Sequence, residues 1–231
     1  MQGNSRRWDA VLFDVDGTLI DSLEVIVEGL GATYDRFLGL SVSREEILAV
    51  IGRPLREQVG HFSPLPLSED QSREMIEFAV QAFAQRKALE HEFAPAVEAL
   101  RVCKAAGLKT AVVTSKSQPE LDLFLQEFSG ATALDAAVCA SHVVHPKPDP
   151  ESALLACRLL GILPERTVMI GDSVFDVRCA RSAGCFSVAA AYGSAPREAL
   201  EAETPDVLVE SPEALLEWVG LTLAQREPAH A

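Results

Sequence analysis

Two aspartates, Asp14 and Asp16, stand one residue apart at the end of the apolar run Ala10-Val11-Leu12-Phe13, and Gly17 follows at once. Residues two apart on an extended chain share a face. Both carboxylates therefore lean into one space, with Gly17 supplying the unusual backbone of the turn. Like charges so close repel unless a cation holds them together, so the pair predicts a bound divalent metal. Three more polar stations follow. Lys109–Val113 reads as a buried strand ending in Thr114-Ser115-Lys116. Pro146-Lys147-Pro148-Asp149-Pro150 is a proline-stiffened loop carrying a lysine. Thr167–Ile170 is a strand opening into Gly171-Asp172-Ser173-Val174-Phe175-Asp176. Ligands of open α/β sheets bind beyond the carboxyl ends of the strands, so such a fold would gather all four stations in one crevice. Singly, each is explained by structure alone: an acidic turn, a helix entry, a stiff loop. Their order and common placement are not.

The elements that must position these residues alternate. Strands are expected at Ala10–Asp14, Lys109–Thr114, Ala136–Cys139, Val168–Ile170, Phe186–Ala190 and Val207–Val209. Helices are expected at Pro95–Ala106, Gln118–Phe128, Pro150–Leu160, Val174–Ala183 and Pro212–Val219. Ser117 with Glu120 forms a capping-box pattern, Ser211-Pro212 places a cap before a first-turn proline, and Gly107, Gly161 and Gly184 suit C-terminal caps. This alternation predicts an α/β fold with a doubly wound, mostly parallel sheet. Residues 21–91 break it. Asp21–Leu38, Arg44–Val50, Leu55–Phe62 and Glu69–Leu89 all read as helical, with Ser43 and Ser68 as caps and no strand between them. A small all-helical domain over 21–91 is expected, inserted into a core made of residues 1–20 and 92–231. The tail from Gln225 to Ala231 is expected to fray.

The four stations resemble the motifs of the haloacid dehalogenase superfamily of aspartate-nucleophile phosphatases, in order and over nearly the whole chain, Ala10 to Val219. Within it, Lys147 through Gly184 is most similar to the phosphoglycolate phosphatase-like branch, which includes pyrophosphatases and β-phosphoglucomutase. The resemblance implies a Rossmann-like core whose helical insertion is a C1 cap closing over the site. It implies Asp14 as nucleophile, forming an aspartyl-phosphate. Asp16 would be the acid and base, protonated at the start under the influence of a neighbouring carboxylate, and would give its carbonyl to the metal. Lys147 would neutralise the phosphate, and Thr114 and the Ser115 amide would hold its oxygens. Asp172 would ligate the metal directly, and Asp176, one helical turn on, directly or through water. Oxygen ligands alone point to Mg²⁺. Lys116 is read as a surface lysine. Arg53, in the cap loop Ile51-Gly52-Arg53-Pro54, would meet a second anionic group or simply lie in solvent. His142 and His145 replace an acidic residue usual before the motif lysine and are read as loop residues. Ala96 stands where relatives tend to carry a glycine at the return from cap to core.

The implied activity is hydrolysis of a small phosphorylated metabolite, phosphoglycolate-like first, with a pyrophosphatase or a phosphoglucomutase-type transferase as alternatives. A phospho-receiver module would also use acids, a Thr and a Lys, but the helical insertion behind the first acidic turn argues against it. Composition is consistent with an enzyme. The 231 residues are 48% hydrophobic, enough for a substantial core. A net charge of −14 without a basic stripe argues against nucleic acid. No uncharged apolar run reaches about 18 residues, so no membrane span is expected. The segment Met1–Asp9 lacks the apolar core of a signal peptide. Five cysteines without C-x-x-C spacing read as buried free thiols in a reducing compartment, and the expected location is cytoplasmic. A monomer is slightly favoured.

Overall fold

The computed structural model describes residues 8–224; the expected fraying of Gln225–Ala231 lies outside them. Six parallel strands form the central sheet: β1 (Ala10–Phe13), β4 (Lys109–Val113), β5 (Ala136–Val138), β6 (Thr167–Gly171), β7 (Phe186–Ala190) and β8 (Val207–Val209). Their spatial order is β5-β4-β1-β6-β7-β8. β1 sits between β4 and β6, with Leu12 beside Ala111 and Met169. A strand flanked on both edges and covered on both faces must be apolar throughout, and all four residues of β1 are buried. Its alternate side chains feed two layers. Val11 and Phe13 join a cluster with Leu100, Leu121 and Leu215. Ala10 and Leu12 join one with Ala153, Cys157 and Cys179. These residues belong to α5 (Ala94–Ala105), α6 (Gln118–Glu127) and α10 (Pro212–Ala224) on one face, and to α7 (Glu151–Leu160) and α8 (Val174–Ala183) on the other. The sheet is doubly wound.

Between β1 and β4 lie four helices: α1 (Leu23–Leu38), α2 (Arg44–Leu48), α3 (Leu55–Gly60) and α4 (Glu69–Gln85). They bury their own cluster around Leu30, Tyr34, Ile47, Val59 and Met75. Both expected caps form. Ser43 and Ser68 accept from the amides of the third helical residues, Glu46 and Gln71, whose side chains return the bond. Gly107, Gly161 and Gly184 adopt positive φ after their helices, and Ser211 accepts from the Ala214 amide.

Three features differ from the expectation. The α4 helix stops at Gln85, and Lys87–Leu89 form a 3₁₀ turn. A two-residue antiparallel ladder joins β2 (Ile20–Asp21) to β3 (His91–Glu92), tying the two ends of the helical segment together. A short α9 (Arg197–Ala202) precedes β8. Two-residue strands are too short for periodicity to register. All five cysteines are buried. Among the described residues no helix is long and apolar enough to cross a membrane.

Candidate active site

Backbone pairing carries the first two stations one residue past their strands. The Asp14 amide donates to Ile170 O at 2.8 Å, and the Thr114 amide to Val138 O at 2.9 Å. Both side chains are thereby fixed at the carboxyl edge of the sheet, 4% and 2% exposed. Gly17 then turns the chain with φ 73°, and a Cβ there would fall inside the Asp172 carboxylate. Only glycine lets the first acidic turn approach the third carboxylate so closely.

Asp172 follows β6, and Asp176 lies in the first turn of α8. The α8 cap sets Asp176: its carboxylate accepts from the Ser173 amide at 3.1 Å and the Ser173 hydroxyl at 2.5 Å. Its other oxygen accepts from Lys147 Nζ at 2.7 Å. A solvent-facing role for Asp176 is excluded by its 2% exposure. Lys147 also pairs with Asp14 at 2.9 Å and donates to Val113 O at 3.2 Å. Asp172 accepts from the Ser194 amide at 2.6 Å.

Carboxylate oxygens of Asp14, Asp172 and Asp176 lie within 4.8 Å of one another, all buried. Three buried acids face one buried lysine. Burial pushes the Asp14 carboxyl well up; Lys147 opposes, and Asp176 and Asp172 add to the rise. Asp172 is pushed up to about 7 by burial and by Asp176. Burial alone would lower the Lys147 ammonium, but Asp14 and Asp176 outweigh it and hold it above its usual range. Such a cluster of hard oxygen donors with surplus negative charge fits a divalent cation of the Mg²⁺ type. His142 and His145 lie outside it. His142 Nε2 meets Gln118 Oε1 at 2.6 Å, and the His145 amide donates to Glu151 at 2.8 Å. His142 ends a short 3₁₀ turn, Ala140–His142, where a loop was expected, and His145 lies in the loop after it.

Two expectations are corrected. Lys116 is not a surface lysine: its side chain is 18% exposed and pairs with Asp16 at 2.7 Å. Asp16 consequently meets a cation where a carboxylate was expected. Burial would raise its pKa, but the charge and hydrogen bond of Lys116, with the Ser22 hydroxyl at 2.6 Å, outweigh burial and hold it below the usual value. Sequence reasoning missed Ser22, which stands only six residues beyond Asp16. It also missed the Ser194 amide, a backbone donor that leaves no trace in side-chain type.

A cavity of about 180 Å³ opens onto Asp14, Asp16, Thr114 and Ser115 and runs between α4 and α6. The cap loop closes one side. Ser115 Oγ donates to Gly52 O at 2.5 Å, and Arg53 lies over the Phe175 ring at 4.9 Å. Arg53 also pairs with Glu57 at 3.5 Å. Gly52 has φ 96°, and a Cβ there would meet Ser173 Oγ at 2.8 Å and Phe175 Cδ2 at 2.9 Å. Strain of about 1–3 kcal/mol at such a position is expected to weaken this closed contact. Gly52→Ala should therefore lower kcat/KM by about one to two decades while leaving the core sheet's circular dichroism unchanged. Unaltered kcat/KM would show that the loop need not close.

Comparison with known proteins bears on this arrangement directly. The family model of the haloacid dehalogenase-like hydrolases matches residues 11–190. The chain is 34% identical over 218 residues to pyrophosphatase PpaX of Bacillus velezensis, covering 94% of this chain and 98% of the relative. A hydrolase from Pseudomonas syringae superposes with a TM-score of 0.81 at 24% identity, over 92% of this chain and 98% of that one. A predicted phosphoglycolate phosphatase from Haemophilus somnus gives 0.79 at 22% identity, over 91% and 97%; these two show the shared fold. With its acids at the strand ends and a match spanning most of the sheet, this chain belongs to the haloacid dehalogenase-like hydrolases and is a phosphatase of that family.

Proposed function

We propose that the chain hydrolyses a phosphate monoester of a small metabolite through an aspartyl-phosphate on Asp14, with Mg²⁺ held by Asp14, Asp172, Asp176 and the Asp16 carbonyl. The observation that carries this reading is Lys147 bridging Asp14 and Asp176 beside Asp172, with Asp14 lining the inner end of a cavity. Bound at the three carboxylates, the cation would neutralise phosphate charge that would otherwise repel an anionic nucleophile. Lys147 orients Asp14 and adds a second positive charge. Thr114 and Ser115 supply donors to the phosphoryl oxygens. An Asp14 oxygen bonds to phosphorus as the ester P–O bond breaks, and the leaving alkoxide takes a proton from Asp16. Water then attacks phosphorus, gives its proton to Asp16, and the P–O bond to Asp14 breaks. A phosphate dianion beside Asp16 counters the field of Lys116 and favours the protonated acid this sequence needs. The helical segment 21–91 serves as the lid.

Turnover of para-nitrophenyl phosphate should vanish in EDTA and return with excess Mg²⁺, whereas Ca²⁺ should inhibit, because its longer bonds and larger coordination number misplace Asp14. Full turnover in chelator would overturn the metal assignment. A second reading, pyrophosphate hydrolysis, is favoured by the name of the 34% identical relative. Release of two phosphates per pyrophosphate at a kcat/KM above that of any monoester would select it.

A further inference from the structure

The cavity wall beyond the phosphate site is mostly apolar. Ile26 of α1, Leu55 of α3, Val80 and Phe83 of α4, and Leu123 and Phe124 of α6 line it. Val80 and Leu123 are 43% and 52% exposed, large apolar side chains left open at the mouth, one on the helical segment and one on the core. The cations of the same wall already have acidic partners. Lys116 pairs with Asp16 at 2.7 Å, and Lys87 with Glu90 at 2.5 Å and Glu127 at 3.0 Å. Arg53 is packed on Phe175 and makes a 3.5 Å contact with Glu57, which leaves its buried Nε without a hydrogen-bond partner among the described residues. A substrate carrying a second anion, whether carboxylate or phosphate, would be desolvated against hydrocarbon and would compete with carboxylates for Lys87 and Lys116, with the single Arg53 Nε as its one unengaged donor. An apolar group would instead exchange water for a fitting wall.

Resting on the phosphomonoesterase reading, we infer that the substrate is the phosphate ester of a small apolar alcohol, its hydrocarbon body lying between α4 and α6. Pyrophosphate and phosphoglycolate are therefore poor substrates. The volume bounds the body: an apolar cavity of about 150 Å³ admits benzene, so about 180 Å³ shared with the phosphoryl group takes a short branched chain or one ring. This departs from the second anionic group expected opposite Arg53.

The test is kcat/KM of the full chain with Mg²⁺ for methyl, ethyl, propyl and butyl phosphate, beside phosphoglycolate, pyrophosphate and para-nitrophenyl phosphate. Each buried methylene should raise kcat/KM about three- to fourfold, or about thirtyfold or more from methyl to butyl. The double variant Val80→Asp/Leu123→Asp, at two partly exposed positions of the wall and with its fold checked by circular dichroism, should flatten that gradient. A series flat in the native protein, or phosphoglycolate or pyrophosphate outpacing butyl phosphate, would overturn the inference while leaving a phosphatase. A gradient that survives the double variant would overturn the placement between α4 and α6. If no ester turns over, para-nitrophenyl phosphate included, the hydrolase reading fails and takes the inference with it.

Discussion

Asp14→Asn should retain the fold and lose turnover by about four decades or more. The amide oxygen is a poor nucleophile and a weak ligand for a hard cation, so both the bond to phosphorus and the charge neutralisation fail together. Stability should move the other way. Asp14 is one of three buried carboxylates, and burial with Asp172 and Asp176 nearby disfavours its charged form. A neutral isostere removes one of those charges, so in EDTA the variant should melt at or above the temperature of the native protein. Mg²⁺ should raise the melting temperature of the native protein clearly and that of the variant much less. Turnover within tenfold of native would sink the nucleophile assignment. A variant markedly less stable in chelator would show that Asp14 serves packing more than chemistry.

The fold was largely legible because buried parallel strands are written as continuous apolar runs, and here the three runs that lead into the site each give way to a polar residue. Phe13 gives way to Asp14, Val113 to Thr114, and Gly171 to Asp172. The break in alternation after Asp21 marked the helical segment equally well. What stayed hidden depends on distance or on backbone. Lys116 stands 100 residues from Asp16, and nothing local distinguishes a lysine after Thr-Ser from a solvated one. Ser194 works through its amide. Val80 and Leu123 look like ordinary helix residues until α4 and α6 are seen to face one cavity. Substrate choice is the least legible property because it is built from the surfaces of helices far apart in the chain.

Lys147→Met should expose the opposite side of the same balance. The substitution keeps an unbranched apolar stem and deletes the ammonium, so no large cavity forms. Asp14 and Asp176 then lose the cation that each contacts, at 2.9 and 2.7 Å, in a site where Lys147 is 3% exposed. Removing one partner of a buried pair costs about 3–5 kcal/mol, since the charge left behind remains desolvated. In EDTA the variant should unfold at correspondingly lower denaturant. The sign of the pH dependence follows from the carboxylates. Asp14 and Asp172 are raised in the folded chain, Asp172 to about 7 from 3.8, so the folded state binds their protons more tightly than the unfolded state. Their favourable contribution is therefore present at low pH and is lost as pH rises from about 4 towards 7. Without Lys147 these carboxyls rise further, so the deficit of the variant should be small near pH 5 and widest near pH 8. Mg²⁺ should recover much of the stability, because a divalent cation meets the same carboxylates. Turnover should stay at least about three decades down, because nothing replaces the charge beside Asp14 and the transferring phosphoryl group. A variant as stable as the native protein in EDTA at pH 8 would show that the three acids do not depend on Lys147 to share their site.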